Sequence, residues 1–299
     1  MSDIRLLDGS IGQELVNRFG GPLSTMWSTD VLIERPDLVL ELHTEYFDVG
    51  ATIATTNTYA ILQDRLDFEN SSHDIKKLWD SAISAAVTAR DKKNSYGSVA
   101  GSIGPLVGSY VPELCPPPIE AEVAYTPIVD ALSPHVDLLL IETMSSVSQA
   151  MGALRAVKNV SIPIWLALSV DDFDGTKLRS GEALSDIRTC VDNYRIDAIL
   201  INCSRPEAVT DGVKIIGQFG LPFGAYANGF TVINDEYKKI NSTVAALKKR
   251  LDLTDKRYVD EVFKWIDSGA TIVGGCCEIG PSAIKALSQK LTASGFCIV

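Results

Sequence analysis

Thr271-Ile272-Val273-Gly274-Gly275-Cys276-Cys277 is a short β-branched run that breaks at two glycines and carries two adjacent thiols into a tight turn. A buried strand that ends in reactive side chains fits the edge of an α/β fold where strands hand over to loops. Seven earlier apolar runs end in the same way. Ile4-Arg5-Leu6-Leu7 stops at Asp8-Gly9-Ser10, and Ala51-Thr52-Ile53-Ala54-Thr55-Thr56 stops at Asn57-Thr58-Tyr59. Gly97-Ser98-Val99-Ala100-Gly101-Ser102 is a third strand, and residues 136–141 a fourth, with Glu142-Thr143 at its end. Residues 162–169, 197–201 (ending Asn202-Cys203-Ser204) and 222–226 (ending Ala227-Asn228-Gly229) complete the set.

Helical spacing fills the gaps between them. Residues 36–49 place Leu38, Val39, Leu42, Tyr46 and Phe47 on one stripe, with Pro36 at the start and Gly50 as the stop. Residues 74–90, a stretch from about Glu120, and residues 147–157, 184–194 and 207–219 read as further helices, and Thr254 caps another that Gly269 ends. Residues 104–118 carry Pro112 and Pro116-Pro117-Pro118 and neither periodicity, so they form a loop placed to cover a pocket. Eight strands alternating with helices, without a linker or composition break, predict one (β/α)8 TIM barrel over residues 1–299; the competing arrangement is an open doubly wound sheet. Closure is favoured because every strand end is polar or small: Asp8, Asn57, Ser102, Glu142, Ser169, Cys203, Asn228 and the Cys276-Cys277 pair.

Composition narrows the function. The chain has 299 residues, 46% of them hydrophobic, and a net charge of -11, which lacks the basic footprint that phosphate backbones require and sets nucleic acid aside as a partner. Met1-Ser2-Asp3-Ile4-Arg5 has no basic segment leading into an apolar one, and no apolar run is long enough to span a bilayer, so neither export nor a membrane is expected. Six cysteines in a chain of this kind read as reduced thiols in a cytoplasmic protein.

Strands six and eight of a closed barrel are separated by one strand, which brings Cys203 to the rim that carries Cys276 and Cys277. Three thiolates and no fourth protein ligand match a tetrahedral zinc (Zn2+) site with one position open. Three thiolates make zinc a poor activator of water, whereas metal binding deprotonates an incoming thiol whose free pKa is about 8.5. Alkyl transfer to a substrate thiol is therefore expected. The bland alternative is that the three are ordinary buried thiols, as Cys190 is expected to be on its helix. Two other readings stay open: a zinc hydrolase, which would want histidine ligands although His43, His73 and His135 end no strand, and a structural zinc, which would need a fourth protein ligand. A redox pair at Cys276-Cys277 ranks below these, and Cys115 and Cys297 are expected to be incidental.

Taken together, Asp8-Gly9, residues 50–59, Gly101-Ser102-Ile103-Gly104-Pro105, Ile141-Glu142-Thr143, Asp174-Gly175-Thr176 with Ser180-Gly181-Glu182, Ile201-Asn202-Cys203 and Gly274-Gly275-Cys276-Cys277 resemble the homocysteine S-methyltransferase family over almost the whole chain. The resemblance implies zinc on Cys203, Cys276 and Cys277, with the sulfur of homocysteine in the fourth position. It also implies that Asp8 and Glu142 pair the ammonium of the amino acid, with Gly9, Thr56, Asn57, Ser102 and Asn228 around it. The sequence departs from the family pattern at Ser10, at Gln13 and at Ala227 in Tyr226-Ala227-Asn228. The partners expected are a thiol acceptor and a methyl donor. The chain's length favours a sulfonium donor, S-methylmethionine or S-adenosylmethionine, over folate or betaine, and Trp27 is placed to stack on the cation. A betaine-type donor and selenocysteine as acceptor remain the alternatives.

Overall fold

A computed structural model describes residues 3–22, 24–93, 96–237 and 246–299. Met1 and Ser2, which open the segment read for a leader, lie outside the described residues. The strands are β1 (Asp3–Leu6), β2 (Ile53–Thr55), β3 (Ser98–Ile103), β4 (Leu138–Met144), β5 (Ile164–Leu168), β6 (Ala198–Asn202), β7 (Phe223–Tyr226), β8 (Ile272–Val273) and β9 (Cys297–Ile298). They form one curled, all-parallel sheet in the order β2-β3-β4-β5-β6-β7-β8-β1-β9. Eight of the nine lie within two or three residues of the bounds read from the sequence. β9 is an addition: two residues that pair with Asp3 and Ile4 at the start of β1.

The helices are α1 (Gly12–Phe19), α2 (Ser28–Glu34), α3 (Pro36–Asp48), α4 (Gln63–Phe68), α5 (Ile75–Lys93), α6 (Pro118–Leu132), α7 (Val147–Ala156), α8 (Arg188–Asn193), α9 (Pro206–Ile216), α10 (Asp255–Asp267) and α11 (Pro281–Ala293). α3 starts on Pro36 and turns its buried face, Val39, Leu42, Tyr46 and Phe47, to the sheet, as the apolar spacing dictates. The Thr254 side chain accepts the Arg257 amide and caps α10. The helix expected at 184–194 is split, a 3-10 turn at Leu184–Ile187 running into α8. No helix among the described residues is long and apolar enough to cross a membrane.

Two apolar layers result. The larger lies between helices and sheet. The smaller lies inside the curl, where Leu7, Ile53, Ala100, Leu140, Trp165, Ala167, Leu200, Tyr226 and Ile272 pack together, so that every strand from β2 to β8, and the residue after β1, supplies a side chain. β1 and β2 also approach each other: Leu7 and Ile53 form a parallel bridge, with Asp8 N–H donating to Ile53 O at 2.9 Å and Thr52 N–H to Leu6 O at 2.8 Å.

His43 on α3 is fully buried, and neither ring nitrogen meets a hydrogen-bond partner among the described residues. Burial pushes its pKa from 6.5 down to about 4. The unfolded chain therefore takes up a proton over a range where the native state does not, and stability falls as pH drops from about 6.5 towards about 4, by up to ~3 kcal/mol. We expect His43→Leu to flatten this part of the profile in urea melts between pH 7 and pH 5; an unchanged acid limb would assign it to other groups.

Candidate metal centre and acceptor pocket

The turn that opened the sequence reading is pinned by three hydrogen bonds to the ends of two strands, β1 and β7. Gly275 N–H donates to Asp8 O at 3.0 Å, Cys276 N–H to Ala227 O at 3.0 Å, and Gly229 N–H to Cys277 O at 2.8 Å. Gly274 is required by this close approach, since a Cβ there would stand 2.5 Å from the Leu7 Cβ and 2.9 Å from Asp8 O. Opposite, Cys203 follows β6 with its backbone in the left-handed region, φ 49°, a conformation that costs a non-glycine residue roughly 1 kcal/mol. Such strain at a strand end turns the thiol inward.

The result is one cluster of three sulfurs. Cys203 Sγ lies 3.0 Å from Cys276 Sγ and 3.9 Å from Cys277 Sγ, and these three are the one group of metal-ligating side chains brought within reach of a single ion among the described residues. A tetrahedral zinc with Zn–S of about 2.3 Å holds its sulfurs roughly 3.8 Å apart, so the cluster fits after a small opening of the closer pair. Hydrogen bonding from Cys276 and Cys277 holds the Cys203 thiol well below its ordinary pKa, while the same contacts push Cys276 and Cys277 well above theirs. The cluster by itself thus favours one thiolate and two thiols, a donor set completed by a cation that draws off the remaining protons.

Around Cys203 the protein supplies a polar shell. The Tyr110 hydroxyl is 2.8 Å from Cys203 Sγ; burial keeps the phenol protonated, so it donates to the sulfur. The Arg179 side chain, nearly inaccessible to solvent, donates to Ser169 Oγ at 2.7 Å, to Asp172 at 2.8 Å and to Cys203 O at 3.2 Å, and lies over the Tyr110 ring at 4.6 Å. Asp172 in turn accepts the Ile233 amide at 2.7 Å. This network fixes both the cysteine turn and the tyrosine. Sequence reasoning missed both Tyr110 and Arg179; the only signal was that the unstructured 104–118 stretch was placed to cover a pocket.

The sulfurs face a cavity whose base carries two buried carboxylates. Asp8 accepts the Thr55 N–H at 2.6 Å and the Thr55 hydroxyl at 2.9 Å, yet burial outweighs these bonds and, with the nearby charge of Glu142, raises its pKa well above the usual range. Glu142 is bound by the Ser102 hydroxyl, by Tyr226 Oη at 3.0 Å and by Asn202 Nδ2 at 3.4 Å; burial raises it to about 7 against those bonds. Its aim comes from an irregularity. β4 runs through Met144 rather than ending before Glu142, but its register against β5 shifts between Ile141 and Met144, and Thr143 sits at φ 64°. Asn202 locks this bulge by accepting Thr143 N–H and donating to its hydroxyl, both at 2.9 Å.

Of the other residues read from the sequence, Gly9, Thr56, Asn57 and Ser102 line the cavity. Thr56 Oγ1 accepts Ser102 N–H at 3.0 Å, and Asn57 Nδ2 donates to Ser28 O at 3.2 Å, holding the segment that carries Trp27. Asn228 does not line it: Oδ1 accepts the Phe230 amide at 3.2 Å in a turn, and Nδ2 is buried without a partner among the described residues. Ser10 lines the cavity with its hydroxyl unpartnered among the described residues, whereas Gln13 lies outside the lining and donates to Asn17 at 3.1 Å. The Asp174-Gly175-Thr176 motif is architectural, since a Cβ on Gly175 would stand 1.9 Å from Ala208 O. Trp27, Tyr59, Tyr110, Phe230 and Tyr237 wall the cavity, with Trp27 and Tyr59 edge to face at 6.3 Å. Trp79, Trp165 and Trp265 are core, as is Cys190.

An α/β sheet that sets three thiols able to hold a metal beside two buried carboxylates defines the class of enzyme that works on a small molecule at the strand ends of a parallel sheet. A profile of the homocysteine S-methyltransferase family matches residues 5–291, and the chain belongs to that family. It is 28% identical to homocysteine S-methyltransferase from Escherichia coli (strain K12), over 96% of this chain and 95% of the relative. It is 26% identical to homocysteine S-methyltransferase 1 of Brassica oleracea var. italica (96% and 93% covered) and to a selenocysteine methyltransferase of Astragalus bisulcatus (97% and 93%). Among solved structures, the metallated form of the homocysteine methyltransferase MmuM from Escherichia coli superposes with a TM-score of 0.80 at 25% identity, covering 97% of this chain and 96% of that one.

Proposed function

We propose that this protein transfers a methyl group from a sulfonium donor, S-methylmethionine or S-adenosylmethionine, to the thiol of L-homocysteine, giving methionine. The observation that carries the reading is the cluster of Cys203, Cys276 and Cys277 on the same cavity as the Asp8 and Glu142 carboxylates. Cys203, Cys276 and Cys277 would hold zinc, which when bound supplies the positive charge that lets an acceptor thiol ionise at neutral pH. Asp8 and Glu142 hold the acceptor's ammonium, which draws both raised carboxyls into their ionised forms. Gly9, Thr56, Asn57 and Ser102 shape the cavity around that end, and Asn228 sets the loop that closes beside it.

The acceptor thiolate attacks the methyl carbon, the bond from that carbon to the donor's sulfonium sulfur breaks, and its electron pair stays on the leaving sulfur. An anion and a cation become two neutral thioethers, so a cavity that excludes water favours the charge-dispersed transition state. The aromatic walls at Trp27, Tyr59 and Tyr110 attract the cationic donor. We further propose that the whole chain acts as one domain and that the sheet closes into a full (β/α)8 barrel, a reading supported by the Leu7 and Ile53 bridge and the shared interior layer. Reduced thiols at the centre suit a cytoplasmic enzyme.

The test is methionine formation from homocysteine with methyl-13C-labelled S-methylmethionine, S-adenosylmethionine or glycine betaine, followed by NMR. Label reaching methionine from either sulfonium is expected. Transfer from betaine alone would overturn the donor class, and no transfer from any donor would overturn the reaction. The selenocysteine methyltransferase relative makes selenocysteine the second acceptor to assay.

A further inference from the structure

Arg65 is the one basic side chain lining the cavity among the described residues. It sits on α4, in the connection that follows β2, away from the strand ends that carry Asp8, Glu142 and the cysteines. Its charge reaches Tyr237, which lines the same cavity, and opposes the effect of burial on the phenol. Among the described residues its guanidinium makes no ion pair or hydrogen bond, although the chain carries 38 carboxylate side chains against 27 basic ones.

The carboxylates nearest to it in sequence are committed elsewhere. Asp64 accepts Val107 N–H at 2.8 Å, Asp67 accepts Gln63 Nε2 at 2.7 Å, and Glu69, one helical turn on and able to pair at i,i+4, accepts both the amide and the hydroxyl of Thr25. The Glu69 contact also places that face of α4 against residues 24–27, so Ser24, Thr25, Trp27 and Arg65 share one wall. Trp27 Nε1 is buried on the same wall without a partner among the described residues. A guanidinium that lines a cavity with no partner among the described residues has its donors available to an anionic ligand group, and its planar fork suits a carboxylate.

Resting on the proposed methyl transfer, we infer that Arg65 binds the carboxylate of the methyl donor and so selects donors that carry one. The acceptor's charged amino end is served at the base by Asp8 and Glu142, which leaves Arg65, on a separate element of the same cavity, to the tail of the donor. Recognition would then be divided: the carboxylates at the base read the acceptor, and the guanidinium on the wall reads the donor.

Arg65→Gln and Arg65→Lys separate this role from others. With S-methylmethionine, Arg65→Gln should raise the donor KM on the order of ten- to a hundredfold while kcat and the homocysteine KM stay within about twofold, and Arg65→Lys should recover most of the loss. With the decarboxylated donor (3-aminopropyl)dimethylsulfonium, wild type and Arg65→Gln should be equal. Calorimetric titration of S-methylmethionine into each protein without acceptor should show the same weakening and serves even if wild type forms no methionine, an outcome that would sink the reaction but not this contact. Equal losses with both donors, a rise in the homocysteine KM instead, or unchanged donor binding would overturn the inference.

Discussion

Cys276→Ser should lose its metal and, with it, on the order of a thousandfold or more in turnover. Zinc content measured on the purified protein should fall from one per chain to near zero. The size of the effect follows from the ligand count: three sulfurs are the minimum from which a soft-ligand site with an open position can be built, and no further histidine, cysteine or carboxylate joins the cluster among the described residues. Cys297→Ser is the control. That thiol is exposed on β9, which pairs with the start of β1 at Asp3 and Ile4, the opposite strand end from the one that leads to Asp8 and the cluster, and its loss should leave metal and activity intact. Full zinc occupancy in Cys276→Ser would remove the cluster from the account.

The second large effect is expected at Glu142. Binding of L-norvaline, which has the amino-acid end of the acceptor and no thiol, isolates the carboxylates from thiol ionisation. Because burial raises Glu142 to about 7, its charged form grows as pH rises through that value, and norvaline should bind more tightly from pH 6 to pH 8 in wild type. Glu142→Gln removes the titrating charge while keeping the side chain's size; it should weaken binding about ten- to a hundredfold at pH 8 and flatten this pH dependence. A carboxyl raised in the native state stabilises the fold below its unfolded pKa and loses that contribution as pH rises through about 7. The same variant should therefore be relatively more stable than wild type at pH 8 than at pH 5 in urea melts. A wild-type norvaline profile that is already flat would place the ammonium elsewhere.

Much of this site could be read before any coordinates, because barrel-type sheets concentrate chemistry at strand ends and strand ends are visible as apolar runs that stop. Asp8, Cys203 and the Gly274-Gly275-Cys276-Cys277 turn were placed in that way. What the pattern hides is geometry without a one-dimensional trace. The bulge that aims Glu142 depends on a register shift between two strands, and the left-handed backbone at Thr143 and Cys203 has no glycine to advertise it. Tyr110 comes from a proline-rich loop with no periodicity, and its partner Arg179 reaches it across the molecule from the loop after β5. α2 escaped for a similar reason: seven residues long, uncapped by a side chain and entered from Trp27 at φ 55°, it offers no start signal. Arg65 carries no signal in the sequence, and only the other commitments of its neighbouring carboxylates set it apart.

X-ray absorption at the zinc edge, recorded with and without L-homocysteine, tests the open fourth position most directly. Three sulfurs and one lighter atom in the protein alone, becoming four sulfurs when homocysteine is added, is the predicted result. Four protein ligands before addition and an unchanged spectrum after it would make the centre a structural staple and contradict the account.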